Sequence, residues 1–330
     1  MRAAFPSDPI AAVTHPDPYP YYEHLVVEKP FERDERLGLW VAASAKAVTA
    51  VLTSPICRVR PPAEPVPKAL LGSSAADIFG RLVRMTDGLG QQALKGRVIA
   101  ELGSMDAAGP SREWARRLPA EPAQMAFHLP AYVIGSMLGV DDLPRLANLI
   151  DDFAPALAPG SLPEQVERGR AAAGQLLDMF RGEDDAIVAN RIGFLFQAYD
   201  STAGLIGNTL LALAAHPEAD LHQTLLNVLR YDPPVQNTRR FVAQDGVVAG
   251  RSLKEGDVVL VVLAAANRDP AGQLFTFGAG PHGCPGETLA ITIAQAGIEA
   301  LLRAGVDLKG LAENVTYRPS ANCRIPVLVS

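Results

Sequence analysis

Cysteine is scarce: Cys57, Cys284 and Cys323 are the only three in 330 residues. An odd, sparse set does not build a disulfide framework, so a reducing, cytoplasmic setting is expected. Basic tracts are missing too, and 30 Lys and Arg against 36 Asp and Glu leave a formal net charge of −6. That balance excludes the electrostatic footprint of a nucleic-acid-binding protein. The first 22 residues hold Pro6, Pro9, Pro16, Pro18 and Pro20, too broken a stretch for a signal peptide or membrane anchor. There is no internal repeat and no low-complexity tract. What is present is a hydrophobic content of 48% with 20% charged residues, ample for a sizeable core. The length admits two domains or one large helical domain.

The most informative stretch is Phe277-Gly278-Ala279-Gly280-Pro281-His282-Gly283-Cys284-Pro285-Gly286. Its glycines and prolines cannot continue a helix or a central strand, so an ordered loop is predicted. Behind it, Leu289, Ile293, Gly297, Ile298, Leu301 and Leu302 recur at helical spacing and predict a helix over Glu287 to Arg303. Pro285 suits a first helical turn, and Glu287 puts negative charge near the helix start. Cys284 is thereby expected at a helix mouth, where backbone N–H groups favour the thiolate that binds metal. From these residues alone Cys284 is compatible with a buried thiol, a nucleophile or part of an anion-binding turn.

The order Phe-Gly-x-Gly-x-His-x-Cys-x-Gly, filled at every specified position, resembles the haem-binding loop of the cytochrome P-450 family. There a Cys thiolate is the axial ligand of haem iron. The resemblance implies haem b as cofactor and Cys284 as the metal ligand. It implies that His282 approaches a haem propionate, that Phe277 packs beside the sulfur, and that Gly278 and Gly286 complete the loop. Relatives also carry a His and an Arg four apart on an earlier helix, holding a propionate. This chain offers Gln91 and Lys95 there, a point charge without the bidentate fork of Arg; a solvated helix face is the alternative for Lys95. Arg240 matches the strand Arg that meets a propionate in the family; a surface charge is its alternative.

Ala186 to His216 is the longest helical pattern, nearly apolar for over twenty residues. Gln197, Asp200 and Asn208 in its middle make a membrane crossing costly, so a buried core helix is expected. Gln197, Asp200/Ser201, Gly204 and Asn208 share one face. That stripe is open to two readings, a satisfied structural network or a functional surface. Gln197-Ala198-Tyr199-Asp200-Ser201-Thr202 is similar to the family's distal helix, usually Ala-Gly-x-acid-Thr-Thr. Asp200 matches the acid, Ser201 the oxygen-activating Thr, and Thr202 the second Thr. Ser201 keeps the hydroxyl but loses the methyl that restricts its rotamer.

Asn227-Val228-Leu229-Arg230 resembles the family's Glu-x-x-Arg helix, with Asn where Glu pairs with two arginines. An Asn brings no charge to that pair. Only six residues separate Asn267-Arg268-Asp269-Pro270 from Phe277, so most of the family's meander is missing. An Asn227→Glu change is accordingly expected to be neutral or harmful, because the meander partner is absent and a buried unpaired carboxylate is costly. Elsewhere, Leu37 to Val41, Thr238 to Val242, Val247 to Gly250 and Val258 to Leu263 read as strands. Helices are predicted over Ser44 to Leu52, Met125 to Val140, Leu162 to Phe180 and Leu221 to Tyr231. The proline-rich Ser54 to Pro67 reads as a loop, and Asn314 to Pro319 with Cys323 to Val329 as a final hairpin.

The expectation is one domain over residues 1–330, mostly α with a minor β region, in a trimmed cytochrome P-450 fold. The resemblance implies a soluble, bacterial haem-thiolate monooxygenase that inserts one oxygen atom of O2 into a small or medium apolar organic substrate. No flavin or nicotinamide domain fits the length, so electrons are expected from a ferredoxin-type partner. Asp200, Ser201 and Thr202 are the expected catalytic residues. The alternative is a degenerate or non-oxygenase relative that binds haem or another ligand, uses peroxide, or catalyses a rearrangement. No nucleic-acid or membrane partner is expected.

Overall fold

A computed structural model of the chain describes residues 5–158, 160–181, 184–270, 272–313 and 315–328. The chain divides into two compact units, residues 1–62, 207–284 and 308–327 in the first, and 63–206, 285–307 and 328–330 in the second. The mostly helical character with a small sheet agrees with the sequence expectation.

The first unit is built on a five-stranded sheet. Its strands are β1 (Phe31–Asp34), β2 (Leu39–Ala42), β3 (Cys57–Arg58), β4 (Thr238–Val242) and β7 (Val258–Val261), in the order β1-β2-β7-β4-β3. Only β2 and β7 pair in parallel; the other neighbours are antiparallel. β5 (Gly246–Val248) and β6 (Arg251–Leu253) form a separate hairpin. Side chains alternate across β7. Val259 and Val261 bury against Ala47, Val48 and Val51 of α2 (Ala45–Thr53), whereas Leu260 buries with Tyr22 and Leu25 of α1 (Tyr19–Glu28). Helix α2 starts where Ser44 accepts a hydrogen bond from the Ala47 N–H at 3.3 Å. Helices α10 (Leu221–Tyr231), α11 (Leu263–Ala266) and α13 (Leu308–Ala312) also belong to this unit.

A charged cluster lies inside this unit. Arg324 is 1% exposed and meets Asp232 at 3.0 Å. Their contact is one of charge without hydrogen-bond alignment. Arg324 donates to the carbonyls of Val13 and His15 at 3.0 and 2.8 Å, and its guanidinium lies 3.7 Å from the Tyr317 ring centre. Arg268 stacks over Tyr19 at 4.6 Å. Asn208 donates to the carbonyls of Asp232 and Arg324. The cluster thus joins the proline-rich lead, the exit of α10 and the C-terminal segment. Burial pushes Tyr19 and Tyr22 well above the ordinary phenol range, so both stay neutral.

The second unit is helical: α3 (Ser74–Arg81), α4 (Gly88–Gly103), α5 (Ala108–Arg117), α6 (Pro122–Met137), α7 (Leu143–Ala156), α8 (Pro163–Met179), the larger part of α9 (Asp185–Ala215) and α12 (Glu287–Arg303). Helices α5, α6 and α12 pack on one another, and α7 lies along α8. A β-carbon on Gly169 would stand 2.2 Å from that of Ala156, so α8 meets α7 through its backbone there. Across α6 and α7, His128 and Asp151 pair at 3.0 Å. No described helix is long and apolar enough to cross a membrane.

Several expectations need correction. Pro285 lies outside the N-cap, Gly286, rather than in the first turn of α12. The expected C-terminal hairpin is short: Tyr317 bridges Pro326 antiparallel, with the Arg318 N–H bonding the Ile325 carbonyl and the Val327 N–H the Thr316 carbonyl, while Cys323 bridges to Val235; Asn314 and Val329, at its expected ends, lie outside the described residues. The run ending at Leu263 leaves the sheet at Val261 and turns helical, the Ala266 and Asn267 N–H groups bonding the Val262 and Leu263 carbonyls. The loop after Ser54 contains β3, which uses two residues between prolines as an edge strand.

Two outcomes are expected. Arg324→Ala should cost about 3–5 kcal/mol in urea unfolding, because it strands the buried Asp232 carboxylate. The Asp151 hydrogen bond raises the His128 pKa above 6.5. The pair should therefore stabilise fully below pH 6.5 and lose its contribution as pH rises through the folded value. The melting-temperature advantage of wild type over Asp151→Asn should shrink accordingly on titration to alkaline pH.

Candidate functional site: the Cys284 loop and the residues around it

The loop hangs from the first unit by a short connection. After α11 the chain turns through Asn267 to Asp269, whose carboxylate accepts from the Ala45 N–H at 2.9 Å. It then passes through buried Phe275 and Thr276 to Phe277. The Gly278 N–H donates to the Phe275 carbonyl at 2.7 Å, and the Cys284 N–H donates to the Phe277 carbonyl at 2.8 Å. These two bonds close the loop. Gly278 and Gly280 take φ of 72° and 64°, a region costly for other residues. Gly280 also lies against α2, where a β-carbon would sit 3.0 Å from Thr53 Cγ2 and 3.3 Å from the Leu52 carbonyl oxygen.

Cys284 is exposed, while Cys57 and Cys323 are buried. Burial pushes the Cys57 thiol up, against opposing effects from Ser54 and Arg240, which makes it inert. Among the described residues no group of three or more His, Cys, Asp or Glu is placed to hold a metal ion. A single thiolate donor suits a metal that brings its other ligands with it. A haem iron in its porphyrin is such a metal, so the donor fits the group.

The remaining expected site residues of the first unit lie as follows. Phe277 and His282 are half-buried. Arg240 is buried on β4, opposite Val259 in the sheet register, and its guanidinium donates to the Arg239 carbonyl at 2.8 Å. Gly286 belongs to the second unit, where it caps α12 and its carbonyl accepts from the Ala290 N–H.

The other second-unit residues lie on α4 and α9. Gln91 and Lys95 are one turn apart on α4, the first buried and the second half-buried. On α9 Asp200 and Ser201 are half-buried, and the Ser201 hydroxyl donates to the Gln197 carbonyl at 2.8 Å. Gln197 in turn donates to the Gly193 carbonyl at 2.7 Å. Thr202 is fully buried, and its hydroxyl has no hydrogen-bond partner among the described residues. The polar stripe therefore divides. Gln197 and Ser201 bond their own helix, and Asn208 serves the charged cluster of the first unit.

The scaffold before the loop departs most from the sequence reading. Asn227 is exposed, and its side-chain oxygen accepts from Gln223 at 3.1 Å. Arg230 donates to the Asn267 carbonyl at 3.3 Å. The side chain of Asn267, 1% exposed, bonds Phe275, Thr276 and the Leu229 carbonyl. Sequence reasoning passed over Asn267 and Thr276. The only available signal was a buried-type setting, between an alanine run and the glycine loop, for two small polar residues. Because Asn227 is exposed, the penalty of a buried carboxylate does not apply, and of the two expected outcomes the neutral one remains. Asn227→Glu should change stability by no more than about 0.5 kcal/mol in chemical denaturation.

No family model matches the chain. In sequence it is 31% identical over 232 residues to a putative cytochrome P450 133B2 of Xylella fastidiosa, which covers 54% of this chain and 58% of that one. It is 30% identical over 252 residues to a vitamin D(3) 25-hydroxylase of Pseudonocardia autotrophica, covering 61% and 62%. The chain thus spans about three-fifths of the length of these curated relatives. In structure it is similar to CalO2, with a TM-score of 0.78, 24% identity and coverage of 99% of this chain and 98% of that one. It is similar also to P450BioI in complex with an acyl carrier protein ligated to hexadec-9Z-enoic acid, with a TM-score of 0.78, 21% identity and coverage of 94% and 96%. The chain is related in sequence to bacterial cytochromes P450 and carries the cytochrome P450 fold.

Proposed function

We propose that this chain is a haem-thiolate monooxygenase, an oxidoreductase that inserts one atom of O2 into an apolar organic substrate. The observation that carries the reading is Cys284, the exposed cysteine at the end of a glycine loop closed by its own backbone. Bound haem b would supply an iron centre able to bind and activate O2, with thiolate donation favouring O–O cleavage.

The chain's own residues would do the rest. Cys284 would hold the iron through its sulfur. The positive charges of Arg240 and Lys95, with His282 and Gln91, would hold the propionates. Gly278 and Gly280 would keep side chains away from the sulfur, with Gly286 starting the helix beyond it and Phe277 flanking the thiolate. Asp200 and Ser201 would move protons. Ser201 would have to turn its hydroxyl from the Gln197 carbonyl to do so, a rotation that its unbranched side chain permits. Thr202, more deeply buried, would assist by hydrogen bonding. Electrons would come from a separate ferredoxin-type protein, in one domain over residues 1–330 and a cytoplasmic setting.

An apolar substrate is supported by the two neighbours described above, a vitamin D(3) 25-hydroxylase and a complex carrying hexadecenoic acid. The test is spectroscopic. Wild-type protein loaded with haem, reduced and exposed to carbon monoxide, should give the red-shifted Soret band of thiolate ligation. Cys284→Ser should lose that band while keeping its fold by circular dichroism; a band that survives the substitution would assign the ligand elsewhere.

A further inference from the structure

We propose that the side-chain amide of Asn267 is the positioning residue of the Cys284 loop, clamping the segment that enters it to the end of α10. The inference rests on reading Cys284 as the iron ligand. Asn267 Oδ1 accepts from the Phe275 N–H at 2.7 Å. Asn267 Nδ2 donates to Thr276 Oγ1 at 2.8 Å and to the Leu229 carbonyl at 3.4 Å. The Thr276 hydroxyl also donates to the Leu229 carbonyl, and Arg230 closes the circuit on the Asn267 carbonyl. All of the amide's partners are therefore either at the end of α10 or in the two residues that lead to Phe277. From there the chain of bonds continues through the Phe275 and Phe277 carbonyls to the Gly278 and Cys284 N–H groups.

The neighbouring residues of the turn face elsewhere. Arg268 stacks on Tyr19 and Tyr22 and bonds the Tyr231 carbonyl, while Asp269 bonds the start of α2. Asn227, exposed one turn earlier on α10, bonds Gln223. Asn267 thus holds the approach to the sulfur with a neutral, buried amide. A buried amide with both ends satisfied fixes geometry strongly, because each broken bond exposes a desolvated polar group.

The test combines two readouts on the full chain. In haem-free protein, hydrogen exchange of the segment 275–284 should speed up about tenfold or more in Asn267→Ala, as expected for loss of buried hydrogen bonds. Thr276→Val, a milder change, should shift the same segment in the same direction. Exchange in β7 and α12 should stay at the wild-type rate in both. In haem-loaded protein, Asn267→Ala should convert a larger share of the reduced carbon monoxide complex to a form without the thiolate band. Exchange unchanged in 275–284, or accelerated equally throughout the chain in both variants, would overturn the proposal. Should wild type itself lack the thiolate band, the haem reading would fail. The exchange result would then still decide whether Asn267 positions the loop.

Discussion

The account depends on one constraint: a sulfur must be presented outward by a stretch of chain in which four of ten residues are glycine. Such a loop buries little apolar surface and cannot hold its own shape by packing. Its geometry comes instead from backbone hydrogen bonds and from what it leans on. Cys284 N–H to Phe277 and Gly278 N–H to Phe275 supply the first. The contact of Gly280 with Leu52 and Thr53 of α2 supplies the second. The two left-handed glycines permit that course at positions where any side chain would be strained.

Rigidity around the loop is drawn from buried polar groups as well as from the apolar cluster that takes in Phe275 and Ala279. Asn267 and Thr276 lock the entry to the end of α10. The Arg324–Asp232 pair ties the exit of the same helix to both distant segments of the first unit. Each arrangement is costly to break, because removing one partner leaves a desolvated group behind. Helix α10 is therefore held at its C-terminal end from two directions. Its Asn227 face is left to solvent, which explains how the chain tolerates an uncharged residue there.

Much of this was legible in the sequence because it depends on local rules. Glycine and proline spacing announced the loop, and period-3.6 patterns placed α6, α8, α9, α10 and α12 to within a few residues. Helices α5 and α7 were missed, and strand β1 with them. The sequence Phe31-Glu32-Arg33-Asp34 carries its strand identity only through pairing with β2. Arg324 and Asp232 stand 92 residues apart in number, and nothing at either position signals the other. The assignment of Asn227 to a buried site failed for a related reason. Burial on α10 is decided by whether a distant segment covers it, and the shortened connection to Phe277 covers nothing there. Ser201 matched a motif, yet its rotamer, and hence its bond to Gln197, is a property of the folded helix.

The most direct measurement of the central claim is X-ray absorption at the iron edge of haem-loaded wild-type protein. The account predicts one sulfur scatterer beside the four porphyrin nitrogens, absent in protein whose Cys284 has been replaced by serine. A first shell made only of nitrogen and oxygen in the wild type would contradict it.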